Sequence, residues 1–333
     1  MKRALRWLRL LVYLPLATLV LLEIAVRGWG YAERYLYDPV YRPFSTNIAY
    51  VMQANLEGRR GRGLTLLHTD ALGLRAVEPG GAVGPRAPGE YRIAVTGDSV
   101  TFGEGVRLAE DTYPEVLRRA LDARRPDRRH RVFNFACSAY SVKEMAFTVR
   151  ERMPEVQPDL ALMAVLSVDF DLARTPAVDR FGYHYDARRS GFAPPDAWYK
   201  RALRRSRAAY LLRDLRYQWT GGRREPAARP ADGLPDSYRF VRQFRDDAVT
   251  LGIQPLVILL GRREGAFGGV PGQLARDGIP FLDLTPVLAR FPPERYQASR
   301  FDHHPSAAVH REIGESLADF LAEDGTVPHE TGI

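Results

Sequence analysis

YRIAVTGDSVTFGEGV, residues 91–106, is the stretch on which the fold depends. It begins with an apolar run, Ile93 to Val95, of the kind that is buried on both faces of a parallel sheet, and the run stops at Gly97 with a serine two residues later. A buried strand that gives way to a hydroxyl sets that hydroxyl at the carboxyl edge of the sheet, where ligands bind in open α/β folds. Ser99 is therefore the candidate nucleophile for an acyl carbon. The tight glycine turn lets backbone N–H groups converge on a developing oxyanion beside it.

Working outward, the alternation repeats. RIAVTG is followed by TYPEVLRRALDARR and VFNFAC by VKEMAFTVRERM; then come LALMAVL, PLVILL and PFLDL. Short apolar strands alternating with amphipathic helices predict an α/β fold, a parallel central sheet with helices on both faces. The main domain is expected over 90–325. An Arg-rich insertion at 176–235, carrying Tyr183, Tyr185, Trp198, Tyr199 and Tyr210, interrupts the alternation near strand ends, where it would cover or line a site. Residues 31–89, rich in Gly, Pro and Arg, read as a connector with short strands that packs on the main domain. No Walker or dinucleotide glycine fingerprint follows any strand, so no cofactor is implied.

The chain of 333 residues carries a net charge of +8, but the excess is local: 13 Lys/Arg against 6 Asp/Glu between 176 and 235 leave +7 there. With the remainder close to neutral, nucleic-acid binding is not expected. Cys137 is the single cysteine, which excludes an intrachain disulfide and a cysteine zinc site; within VFNFAC it reads as a small buried residue.

Lys2, Arg3, Arg6 and Arg9 precede LLVYLPLATLVLLEIAV (10–26), whose only ionisable member is Glu23. Seventeen residues rise about 26 Å as a helix, slightly short of a bilayer core, and Trp7, Trp29 and Tyr31 are placed for the two interfaces. Apolar residues on every face exclude an amphipathic core helix. No small-x-small cleavage site ends the run, so residues 1–30 are expected to form an uncleaved single-pass anchor in the cytoplasmic membrane, a cleaved signal peptide being the alternative. The excess of basic residues before the span puts the main domain on the extracytoplasmic, periplasmic side.

A nucleophilic serine needs a base, and FDHHPSAAVHREIGESLADFLAED (301–324) supplies Asp302 and His304 ahead of a closing helix. Asp302 would orient the imidazole while its other nitrogen faces Ser99. His303 is the alternative base, and His310 falls on the helix. No His or carboxylate cluster elsewhere has a familiar ligand spacing, so no metal site is expected.

GDSVTFGEGV together with DHHPS resembles the first and last signature blocks of the SGNH (GDSL-like) serine hydrolases, and HTDALGLR (68–75) is similar to a stretch found in their membrane-anchored members. The resemblance spans most of 91–323. It implies a three-layer α/β/α flavodoxin-like fold, with Ser99 as nucleophile and first oxyanion donor, His304 as base and Asp302 as its orienter. The middle blocks depart from the pattern. NFACSAYS (134–141) has Ala136 and Ala139 where glycines are usual, leaving the Ala139 N–H as the second oxyanion donor. In PDLALMAVLSVDFD (158–171) Val168 stands where an asparagine donor is usual, so Ser167 is the nearest hydroxyl that could substitute. Asp98 and Asp169 are expected on the substrate side of the site, Asp169 also ordering its loop. The family's usual Asp-x-x-His is shortened here to Asp-x-His.

The implied activity is hydrolysis of ester bonds in an acylated small molecule, lipid or glycan outside the cytoplasmic membrane. The alternatives are O-acyl transfer to a surface polysaccharide and binding without turnover, the latter because of Val168.

Overall fold

The computed structural model describes residues 2–31, 37–81, 83–172, 176–186, 203, 205–219 and 233–323. A long helix α1 (Lys2–Trp29) leads into five short strands, β1 (Tyr41–Pro43), β2 (Tyr50–Met52), β3 (Arg59–Arg60), β4 (Leu66–Thr69) and β5 (Arg75–Ala76). The main alternation follows: β6 (Glu90–Gly97), α2 (Ser99–Phe102), α3 (Tyr113–Arg124), β7 (Arg129–Asn134), α4 (Val142–Glu151) and β8 (Leu160–Val165). Next come a hairpin, β9 (Pro176–Val178) and β10 (His184–Asp186), then α5 (Arg207–Trp219), α6 (Arg239–Thr250), β11 (Gln254–Leu259), α7 (Val270–Arg276) and β12 (Phe281–Asp283). The chain closes with α8 (Thr285–Leu288), α9 (Pro293–Tyr296), the hairpin β13 (Gln297–Ser299) and β14 (Asp302–Pro305), and α10 (Ala307–Glu323).

The five runs picked out by their apolar character are the five strands of one sheet, ordered β12-β11-β8-β6-β7 with every pairing parallel. Renumbered from β6 as the first and read from β7, the order is 2-1-3-4-5, the flavodoxin-like arrangement. β6 borders the point where the winding reverses direction, the position at which open α/β sheets bind ligands, beyond the carboxyl ends of their strands. Two apolar cores flank the sheet. Ile93, Val95, Leu117, Leu121, Ile313 and Leu317 join β6 to α3 and α10 on one face. On the other, Ala94, Met145, Val149, Val241 and Phe244 join it to α4 and α6. The result is the three-layer α/β/α fold.

Residues 37–81 contribute buried Tyr41, Ile48, Tyr50, Met52, Leu67 and Leu74 to this second core, so they do more than connect. Arg75 on β5 is buried, and its guanidinium donates to the carbonyls of Phe102 (2.7 Å), Gly103 (2.9 Å) and Val106 (3.1 Å), pinning the loop after α2. Burial pushes its pKa down to about 9, still leaving it charged at neutral pH. Because these are charge-assisted bonds to interior carbonyls, Arg75→Ala is expected to lower stability by about 2–4 kcal/mol, read from urea unfolding.

Helix α1 exposes Leu11, Leu14, Leu21 and Ile24, and its segment Leu11–Trp29 is long and apolar enough to cross a membrane. Its last turns pack on the body. The Glu23 carboxylate accepts from Ser206 Oγ (2.8 Å) and from the backbone N–H groups of Arg207 (3.1 Å) and Ala208 (2.9 Å), capping α5. Trp29 and Tyr31 stack at 5.4 Å and both meet the edge of Phe301, while Arg300 donates to the Trp29 carbonyl. Of the insertion, the β9–β10 hairpin and α5 are described; Trp198 and Tyr199 lie outside the described residues.

Candidate active site

Gly97 ends β6 where a side chain would collide with that of Thr101 and with the Ala164 carbonyl on β8. Only glycine lets the chain turn here against its neighbouring strand. Asp98, buried, then caps the short α2 by accepting from the Val100 N–H at 2.9 Å. Ser99 follows as the first helical residue, half exposed, at the carboxyl edge of the sheet.

At the other end of the chain, Asp302 and His304 lie on β14, paired antiparallel with β13. Successive side chains of an extended strand alternate faces, so residues two apart share one. Asp302 and His304 therefore project together, while His303 between them points to solvent. His304 Nδ1 lies 2.6 Å from Asp302 Oδ1, and Nε2 lies 3.1 Å from Ser99 Oγ. An ionised carboxylate can only accept, so Nδ1 carries a proton and Nε2 is the nitrogen turned to the serine.

The loop between β7 and α4 continues along β6 after the strand ends, with Phe135 N donating to Val95 O (2.8 Å) and Cys137 N to Gly97 O (3.3 Å). Two residues further on, Ala139 takes a left-handed conformation, φ 64°. A backbone conformation that favours glycine is thus held by an alanine. An alanine held there costs about 1–2 kcal/mol in sterics, whereas glycine loses about 0.5–1 kcal/mol of chain entropy. Ala139→Gly is therefore expected to stabilise the fold by roughly 0.5–1 kcal/mol, seen as a higher urea midpoint.

Ser167, half-buried, begins a short 3₁₀ turn (Ser167–Phe170) just beyond β8. Asp169 in that turn is buried and accepts from the Leu166 N–H at 2.8 Å. Asp98 and Asp169 thus both order the loops that carry the site. Cys137 is buried, and burial pushes its thiol up to about 11, well away from thiolate chemistry. His310 accepts from the Tyr113 N–H (3.1 Å), stacks on that ring, and is held neutral by burial, its pKa pushed down to about 3. No cluster of three or more His, Cys, Asp or Glu able to hold a metal ion occurs among the described residues.

One residue that the sequence left unremarked reaches the site. Glu104, buried inside the first block, sets Oε2 3.2 Å from His304 Nε2. Its other oxygen accepts from Ser138 Oγ and faces the Arg62 guanidinium at 3.5 Å; Tyr41 in turn donates to Ser138 Oγ at 3.3 Å. Residues 37–81 therefore supply the outer support of the site. The only signal for Glu104 in the sequence was an acidic residue between two glycines. Both adopt positive φ (Gly103 89°, Gly105 85°), and a side chain on Gly105 would meet Ala298 and His304.

No protein-family model and no curated protein matches the chain. Solved structures similar to it include a G-D-S-L family protein from Desulfitobacterium hafniense (14% identity over 68% of this chain and 98% of that one, TM-score 0.41). Another is an acetylxylan esterase from Geobacillus stearothermophilus (17% identity, 71% and 94%, TM-score 0.41). A third is a lipase from a goat rumen metagenome (14% identity, 69% and 96%, TM-score 0.44). At these identities and TM-scores, the chemistry is read from the site itself.

Proposed function

We propose that the chain is an SGNH/GDSL-type serine hydrolase that cleaves ester bonds of an acylated lipid or glycan. The observation that carries this reading is the relay Ser99–His304–Asp302, with contacts of 3.1 and 2.6 Å at the point where the sheet reverses its winding. Ser99 Oγ attacks the acyl carbon as its proton passes to His304 Nε2. The N–H groups of Ser99 and Ala139 receive the oxyanion, with Ser167 as the candidate hydroxyl to aid them. His304 returns the proton to the leaving alkoxide, giving an acyl-enzyme and a free alcohol. It then takes a proton from water, which attacks the acyl carbon and restores Ser99.

In the same reading, α1 anchors the enzyme in the cytoplasmic membrane with the catalytic domain outside. Support for a retained helix comes from Glu23, Trp29 and Tyr31. Their contacts with α5 and Phe301 would be lost on cleavage of a signal peptide.

The test is intact-mass analysis of the full chain, in detergent, after incubation with a fluorophosphonate at alkaline pH. A single adduct mapped to Ser99 is the expected result. Absence of any adduct, with no turnover of p-nitrophenyl acetate, overturns the reading and leaves a binding protein on this fold.

A further inference from the structure

Glu104 has no task in the reaction just described, yet its placement forces a count of protons. His304 Nε2 lies 3.2 Å from Glu104 Oε2 and 3.1 Å from Ser99 Oγ, while Nδ1 already donates to Asp302. A bare Nε2 and an ionised carboxylate oxygen are both acceptors and repel at this distance, so one proton lies between them. Glu104 Oε1 receives the Ser138 hydroxyl and faces Arg62, so both carboxylate oxygens are engaged as acceptors and the shared proton sits on the imidazole. Ser99 is then on the accepting side of a shared N–H, and its own hydroxyl has another acceptor, Asp98 Oδ2 at 3.3 Å. The arrangement is that of a serine not yet activated.

We propose that Glu104 is a positioning residue that holds a proton on His304 Nε2 in the resting enzyme. Ser99 becomes a nucleophile once that proton has left, and Glu104 then steadies the imidazolium that forms during attack. The inference rests on the triad reading above and deepens it. The steps balance: the Nε2–H bond breaks and its proton passes to water at the partly exposed imidazole, and the Ser99 hydroxyl turns from Asp98 to Nε2. The Oγ–H bond then breaks as Oγ–C forms, returning one proton to Nε2 opposite Glu104.

The charged and titratable groups around this ring are Asp302 on its own strand, Glu104 and Asp98 on the loops flanking α2, Arg62 and Arg75 from the N-terminal segment, and neutral His310 on α10. Burial alone would lower the His304 pKa, but Glu104 and Asp302 outweigh it and raise the pKa above the ordinary histidine value. A base with a raised pKa is neutral only at higher pH, so activity rises late as pH increases.

The experiment compares pH profiles of kcat/KM for p-nitrophenyl acetate between about pH 5 and pH 9, using the full chain and its Glu104→Gln variant in detergent. In the variant the acidic limb is expected to move to lower pH. Expressed relative to its own plateau, the rate about a pH unit or more below the wild-type midpoint should rise by a factor on the order of three to ten, while the alkaline plateau itself falls by about tenfold. A fall at all pH values with an unmoved limb marks a merely structural role and overturns the proposal. If the variant does not fold, ¹⁵N NMR of the histidine rings in the wild-type protein decides. Both nitrogens of His304 protonated at neutral pH is the expected result; a bare Nε2 overturns it. Fluorophosphonate capture at Ser99 separates the two readings. No capture at any pH sinks the triad and this proposal together, whereas capture with an unmoved limb sinks this proposal alone.

Discussion

Ser99→Ala is expected to lower turnover of p-nitrophenyl acetate by about 10⁴- to 10⁶-fold, to near the uncatalysed rate, while leaving the thermal unfolding midpoint within a few degrees of wild type. The magnitude follows from what the oxygen does. Without Oγ there is no acyl-enzyme, and water must attack directly with only the oxyanion donors and binding to help it. The small effect on stability follows from the site of the change, since Ser99 is half-buried and, among the described residues, its side chain bonds to Asp98 and His304. Hydrolysis rate and calorimetry on one preparation check both halves. An alanine variant retaining more than about a hundredth of wild-type turnover would remove Ser99 as nucleophile.

The second large effect is expected at Asp302. Replacing it with asparagine keeps its volume but offers the imidazole an amide that can donate, which favours the tautomer with its proton on Nε2. A loss in kcat of about 10⁴-fold is expected. Here the strand adds to the cost, since the Asp302 carboxylate also accepts from the His304 backbone N–H at 3.2 Å and so fixes the residue it serves. Side-chain position 63 is relevant too. Gly63 lies at φ 66° with its missing Cβ directed at Asp302 Oδ2, so the N-terminal segment closes over the carboxylate from the far side. Measuring kcat and KM separately should place the loss in kcat; a loss confined to KM would mean that Asp302 binds substrate instead.

What could be read from the sequence divides along a physical line. The sheet was legible because buried parallel strands are written as local apolar runs, and five such runs separated by helical periods leave few topologies. Ser99 was legible because strand, glycine and hydroxyl are adjacent in the chain. Asp302 and His304 were legible as a pair, but their shortened spacing made sense only once the segment proved to be an extended strand rather than a loop. Glu104, Arg62, Arg75 and Tyr41 were not read as parts of the site. Each acts across the fold, on a partner far away in the chain or one brought near by turns, and no periodicity records such contacts. Residues 37–81 show the same limit. A Gly- and Arg-rich composition suggested a connector, while single aromatic and aliphatic side chains within it fill the core.

The join between α1 and the β13–β14 hairpin also bears on where the reaction can occur. Phe301, packed edge-on against the stacked Trp29 and Tyr31, immediately precedes Asp302. In the anchored state proposed above, the same aromatic cluster that ends the membrane helix also sets the height of the catalytic hairpin. An enzyme so anchored would work close to the lipid surface, held there by the contacts of α1 with Arg300 and Phe301. Its reach would be set by how far a substrate's acyl group extends from the bilayer rather than by any swing of the domain. In that reading, cutting the chain just after Trp29 would remove, along with the anchor, the ring and the carbonyl that Phe301 and Arg300 meet, so a shed form is expected to turn over more slowly.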